Sequence, residues 1–247
     1  YTDIRINCCF ACGGSDSYSG ITANPALGYA SDLIVKHGGS TILSETPEIY
    51  GAEHLLIERA INFKIIEKLN NQIEWWKNYT SVNGSSLNNN PSPGNKQGGL
   101  TTILEKSLGA VTKSGTSPMV DVLDYSERIS NKGFNFMNSP GFDPVSVTGQ
   151  VASGANLICF TTGRGSCFGF KPSPSLKIAT NTNMFNKLKE DMDINAGTIM
   201  DGESNIEQIG KEIFEKIISI ASGEKSKSEL NDYGNDEFNP WVIGATI

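Results

Sequence analysis

Residues 4–44, IRINCCFACGGSDSYSGITANPALGYASDLIVKHGGSTILS, read as a strand, a glycine-rich turn, a helix and a second strand. Residues 4–10 are β-prone and mostly apolar, the pattern of a strand buried on both faces. The turn Cys12-Gly13-Gly14-Ser15-Asp16 follows, and Thr22 or Asn24 can cap the helix with Pro25 at its first position. Leu27, Ala30, Leu33 and Ile34 recur at helical spacing, His37 falls in the last turn, and Gly38-Gly39 stops the helix. Residues 41–44 form the second strand, with Glu45 just past its carboxyl end. Such a unit joins parallel strands, whose ligands sit beyond the carboxyl ends. The first turn and Glu45 are therefore expected to face one crevice. A helix starting there aims its unsatisfied N–H groups and positive dipole end at the same place, an arrangement suited to an anion.

Outward from this unit, residues 51–79 carry a long helical pattern with a break near Asn62. A loop rich in Asn, Ser, Pro and Gly runs to Gly99, and long loops within a compact domain are usually functional or disordered. Thr101 or Thr102 caps the next helix, with Glu105 at capping-box spacing from Thr102 and an end near Gly115. Short strands are expected at 119–123, 134–137, 156–161 and 176–180, and residues 206–221 read as an amphipathic helix. The polar tail from residue 224 reaches Phe238-Asn239-Pro240-Trp241 and is expected to dock on the body. These elements predict an α/β fold: a Rossmann-like layered sheet, mostly parallel, with helices on both faces.

A chain of 247 residues can bury one substantial core. A net charge of −7 without a basic stripe argues against nucleic acid, and no apolar run is long enough for a bilayer. Three of the five cysteines crowd one strand and its turn, poor geometry for a disulfide framework, so a reducing cytoplasm is expected. The first turn lacks G-x-G-x-x-G spacing, and Gly94-Asn95-Lys96-Gln97-Gly98-Gly99 lacks the G-K-[ST] of a P-loop. A nucleotide site is disfavoured.

Several residues remain as chemistry. Cys12 reads as a metal ligand, a helix-end nucleophile or a small buried hydrophobe, and the last reading suits Cys8 and Cys9 best. His37 and His54 sit where structural histidines sit, which weakens a Cys–His hydrolase. Lys96, in a Gly-flanked loop, is a counter-ion for a carboxylate, a base, or an exposed loop lysine. Thr161-Thr162-Gly163-Arg164-Gly165-Ser166 forms a second anion-friendly turn with a bidentate Arg164, or a plain strand-end loop. Asp16 is a site residue or a satisfier of backbone donors, and Asp191 and Asp193 more commonly cap and turn than hold a metal. The set suits a hydroxylated, anionic small molecule, with or without a hard metal.

The blocks CGGSDSYSGITANPALGYASDL, SETPEIYGAEHLL, NNNPSPGNKQGGLTTILEKSLGA, SPGFDPVSVTGQ, GANLICFTTGRGS and EDMDINAG closely resemble the C-terminal domain of the altronate/galactarate dehydratases. The resemblance runs in order from Cys12 to Trp241. It implies a cytoplasmic hydro-lyase converting D-altronate to 2-dehydro-3-deoxy-D-gluconate, with galactarate as the close alternative substrate and a divalent Fe²⁺ or Mn²⁺ as cofactor. It also implies that residues 1–247 are one C-terminal domain, preceded in the complete protein by a small β-rich N-terminal domain that would be its partner, as would a second copy of the chain. A non-catalytic module that needs that segment, and a sulfo-lyase, are the other readings. Under the resemblance Lys96 or Glu45 is the base, and Asp16 or a metal-bound water is the acid. Ser15, Thr22, Asn24, Asn95, Thr101, Thr161, Thr162 and Arg164 would hold substrate. Cys12 and Glu45 would be the metal ligands.

Overall fold

The computed structural model describes residues 6–89, 91–242 and 244. Ile4, expected in the first strand, and Asn90 of the asparagine run lie outside the described residues. The chain runs β1 (Asn7–Cys12), α1 (Ala23–Lys36), β2 (Ser40–Leu43), α2 (His54–Ile57), α3 (Phe63–Val82), α4 (Pro93–Gln97), α5 (Ile103–Val111), β3 (Met119–Leu123) and β4 (Phe134–Met137). It continues through α6 (Asp143–Ala152), β5 (Leu157–Thr162), β6 (Ser175–Ala179), α7 (Thr182–Lys187), β7 (Ile194–Asn195), α8 (Ile206–Ala221) and α9 (Lys227–Leu230).

Seven parallel strands make one sheet in the order β3-β4-β2-β1-β5-β6-β7. From β1 the chain steps to β2 on one side, and after β4 it crosses to β5 on the other. That reversal makes the carboxyl end of β1 a topological switch point, where a crevice opens. Alternation along β1 builds two cores. Cys8 and Phe10 join Leu27, Ile34, Leu69, Ile213 and Ile217 of α1, α3 and α8, while Cys9 and Ala11 join Ile42, Val147 of α6, Phe160 and Phe168. Cys8 and Cys9 are therefore core residues, and all five cysteines are free thiols. Among the described residues no helix is long and apolar enough to cross a membrane.

The break near Asn62 is real: its side chain caps α3 by accepting from Ile65 N at 3.2 Å. α6 has no counterpart in the sequence pattern, because small and polar residues on its buried face (Ser146, Thr148, Gly149, Gln150) hide the period. The expectation for α1 needs correction. Pro25 is its third residue, and the Thr22 hydroxyl donates to the carbonyls of Tyr18 and Thr180 at 2.8 Å instead of capping. A preceding turn feeds the helix, so the amides of Thr22, Asn24 and Ala26 donate to Tyr18, Ser19 and Thr22 carbonyls. Few donors are left for an anion. The tail packs back on the body, with Asn239 N donating to Thr148 Oγ1 at 3.0 Å and Trp241 stacked on Trp76 at 5.5 Å.

Candidate active site

At the carboxyl end of β1, the Cys12 thiol lies 2.6 Å from Ser15 Oγ. Beyond β2 the chain bends at Glu45, which adopts a left-handed conformation (φ 72°, ψ 67°) costly for a side-chain-bearing residue. The following short helical turn brings Glu48 to the same side. α5 supplies Lys106, whose Nζ pairs with Glu48 Oε1 at 2.6 Å. The turn after α5 supplies Lys113, with Nζ 3.8 Å from Glu45 Oε2. Asp143, at the start of α6, lies against Gly13: a Cβ on Gly13 would sit 2.5 Å from Asp143 Oδ2. A second close approach seats Lys113. Gly28 in α1 has no side chain to obstruct the Thr112 carbonyl, so the turn carrying Lys113 presses onto the helix.

The result is a buried cluster of carboxylates, ammonium groups and a thiol. Glu45, Glu48, Lys106 and Lys113 are all buried, yet both oxygens of Glu45, Oε2 of Glu48 and Nζ of Lys113 lack a hydrogen-bond partner among the described residues. Leaving such groups unpaired is expensive, and clustered orphan groups mark a functional site more often than a structural one.

Their protonation follows from position. Burial, aided by Glu48 and opposed by Lys113, raises the Glu45 carboxyl well above the usual range. Burial and Glu48 raise Asp143 to about 6 against the pull of Lys113 and Lys106. Burial would discharge the lysines, but carboxylates and Cys12 outweigh it and hold both above the ordinary lysine value. Burial raises the Cys12 thiol despite Lys113. The cluster thus sets two carboxyl groups with raised proton affinity, Glu45 and Asp143, beside two ammonium groups. A cavity of about 250 Å³ reaches the cluster at Glu48, Lys106 and Cys12 and is bounded also by Ser15, Ile21 and Leu108, while Glu45, Lys113 and Asp143 are outside its lining.

Of the residues read from sequence, Glu45 and Cys12 enter this cluster and Ser15 touches it. Asn24 and Thr161 lie beside it, joined by Thr161 Oγ1 donating to Asn24 Oδ1 at 2.8 Å. Asn95 Nδ2 donates to Ser15 O at 3.1 Å and steadies the turn. Thr22, as above, is spent on carbonyls. Thr101 is exposed and donates to Glu105, while Thr162 accepts from Gly165 N. Arg164 is exposed, reaching Gln97 at 3.3 Å, and its amide donates to Gly14 O. It borders a separate cavity with Asn181 and Lys187. Lys96 is exposed on α4, away from the cavity.

Asp16 holds the turn together. Its Oδ1 accepts from Ser19 N and Oγ at 2.9 Å and from Thr180 Oγ1 at 3.0 Å, and its Oδ2 accepts from Asn181 Nδ2 at 3.1 Å. Replacing Asp16 with Ala strips buried donors of a charged partner, worth about 3 kcal/mol. Thermal unfolding of that variant is expected to fall by about 6–12 °C.

Sequence reasoning missed Lys106, Lys113, Glu48 and Asp143. The available signal was α5 itself, where Lys106, Ser107, Ala110 and Val111 form the buried stripe while Leu104 and Leu108 face outward.

The donor set does not fit a metal. Among the described residues no group of three His, Cys, Asp or Glu side chains converges as a ligand set. The Cys12 thiol is engaged by Ser15, and Glu45 faces an ammonium group.

The α/β sheet thus carries a buried acid–lysine cluster at its switch point. The chain belongs to the D-galactarate/altronate dehydratase family, whose C-terminal model matches residues 5–246. It is similar to galactarate dehydratase (L-threo-forming) of Escherichia coli strain K12, 46% identical over 214 residues, 87% of this chain and 41% of that protein. Altronate dehydratase of Bacillus subtilis strain 168 is 41% identical over 222 residues, 90% of this chain and 44% of that protein. The (2R)-sulfolactate sulfo-lyase subunit beta of Chromohalobacter salexigens is 32% identical over 230 residues, 92% of this chain and 59% of that protein. The chain thus spans less than half the length of the two dehydratases.

Proposed function

We propose that the chain is the proton-transferring part of a cytoplasmic sugar-acid dehydratase that converts D-altronate to 2-dehydro-3-deoxy-D-gluconate. The observation that carries this reading is the cluster of Glu45, Asp143, Lys106 and Lys113, with its orphan atoms and raised carboxyl affinities. Two carboxyl groups of raised proton affinity beside two ammonium groups are the pieces of an acid–base pair, and we assign Glu45 as acid and Asp143 as base.

Lys106 and Lys113 hold the substrate carboxylate and the charge of the enediolate formed from it. They take the role expected of Lys96. Asp143, ionised, removes the C2 proton, the C–H electron pair moves into the C1–C2 double bond of the enediolate, and it then shifts to C2–C3 as the C3 hydroxyl leaves. The C3–O bond breaks as protonated Glu45 gives its proton to the departing hydroxyl, releasing water. The enol then tautomerises to the 2-keto acid. Cys12 and Ser15 line the floor, and Asp16 and Asn95 hold the turn that carries them.

The choice of altronate rests on the cavity wall. Beyond Lys106 it carries Ile21, Leu100, Leu108 and Glu105, surroundings that suit a neutral terminal carbinol better than the second carboxylate of galactarate. Turnover is tested with the chain alone and fused behind the segment that precedes the matched region in the E. coli relative. The substrates are D-altronate, galactarate and sulfolactate, and the readout is 2-keto-acid or sulfite formation. The fused protein is expected to dehydrate D-altronate with at least tenfold higher kcat/KM than galactarate. A preference for galactarate overturns the substrate assignment, and no turnover of either overturns the dehydratase reading.

A further inference from the structure

Glu45 holds an unfavourable backbone conformation, and the groups that enforce it form a continuous chain to the protein surface. Its amide donates to Ser139 Oγ at 2.9 Å, and the amide of Thr46 donates to Ser139 O at 2.9 Å. The Thr46 hydroxyl donates to Asn138 Oδ1 at 2.7 Å. The same oxygen accepts from the indole N–H of Trp76, also at 2.7 Å. Trp76 is fully buried on α3, and Trp241 of the tail lies parallel on it, with 3° between the ring planes. Two donors from two elements thus converge on one amide oxygen just past β4.

We infer that Thr46, Asn138 and Trp76 are positioning residues that hold Glu45 in its left-handed conformation, with Trp241 clamping the set from outside. The inference rests on the reading of Glu45 as the proton donor. A turn with φ near 72° relaxes unless its neighbours over-determine it, and relaxation would swing the carboxyl away from the substrate. Small displacements of a catalytic group cost rate steeply, because proton transfer needs hydrogen-bond reach. None of the three residues lines the cavity bounded by Lys106 and Cys12, so a loss there would leave substrate binding intact.

The groups facing Glu45 set the pH signature. They are Glu48 on its own turn, Lys113 after α5, Lys106 on α5 and Asp143 on α6. A Glu45 freed from burial beside Glu48 and Asp143 releases its proton more readily. The alkaline limb of kcat, where this acid ionises, then moves to lower pH.

The experiment compares Thr46→Val, Thr46→Ser and Trp76→Phe with Glu45→Gln in the fused protein. Thr46→Val removes the hydroxyl at nearly constant volume, Thr46→Ser restores it, and Trp76→Phe removes the N–H together with part of the ring system while leaving a ring to stack. The expected result is a kcat loss of about ten- to a hundredfold for Thr46→Val and Trp76→Phe. KM should stay within about twofold, the alkaline limb should shift downward, and Thr46→Ser should approach wild type. If Glu45→Gln abolishes turnover while Thr46→Val and Trp76→Phe keep wild-type kcat and pH profile, the positioning inference is wrong. It is also wrong if Thr46→Ser loses as much as Thr46→Val. If Glu45→Gln itself keeps wild-type turnover, the reading of Glu45 fails instead. Should Thr46→Val not fold by circular dichroism, Trp76→Phe decides alone.

Discussion

Glu45→Gln is expected to lower kcat by about 10²–10⁴-fold, the span over which a positioned proton donor accelerates a reaction. The substitution is nearly isosteric with the protonated acid. Burial and Glu48 favour the protonated form of Glu45, so an amide in its place changes little in the unliganded protein. Its thermal midpoint is expected within about 2 °C of wild type, since no charge is lost and no cavity is made. The pair of readings is what discriminates. A catalytic acid gives a large rate loss with an unmoved midpoint, whereas a structural carboxylate paired with Lys113 gives the reverse. Stopped turnover assays on the fused protein with parallel calorimetry supply both numbers. Lost stability with retained turnover would sink the assignment.

Asp143→Asn is the second large effect, and its sign differs between activity and stability. In the fold, burial and Glu48 raise the carboxyl to about 6, against about 3.9 in an unfolded chain. The folded state therefore holds the proton more tightly, and the stability this provides is complete below about pH 3.9. It is lost as pH rises through about 6, after which the ionised form is a standing cost. An asparagine carries no such cost. The variant is expected to melt higher than wild type at pH 8 and to match it near pH 4. Activity moves the other way. Wild-type kcat/KM should rise with pH through an apparent value near 6 as the base ionises. The variant should lose that limb together with about 10²–10⁴-fold in rate. A variant that is no more stable at pH 8, or that keeps the acid limb, contradicts the placement of Asp143 as base.

Six of the seven strands were legible in the sequence because each is short and largely apolar and is closed by glycine or a polar turn. β7, two residues long, is too short to show a pattern. Residues 119–123 and 134–137 coincide with β3 and β4, and residues 206–221 with α8. Glu45 was legible because a strand-to-helix unit points ligands at the carboxyl ends of its strands. The lysines were not. Lys96 stood out through its Pro and Gly neighbours, but those neighbours build only a short exposed helix. Lys106 and Lys113 look like ordinary helix-surface residues until α5 is docked, since burial of a charge depends on distant partners. The anion-receiving feature also moved. Main-chain carbonyls already satisfy the amides opening α1, and the buried positive charge of the cluster sits on side chains some ninety residues further along.

Gly28 extends this lesson to a residue with no polar side chain. A methyl group there would collide with the Thr112 carbonyl oxygen, so the turn would lift off α1 and carry Lys113 toward water. Glu45 would then lose its nearest ammonium group. Shape on the back of one helix therefore sets the voltage of a pocket it does not line, and an apolar substitution would present itself as an electrostatic one.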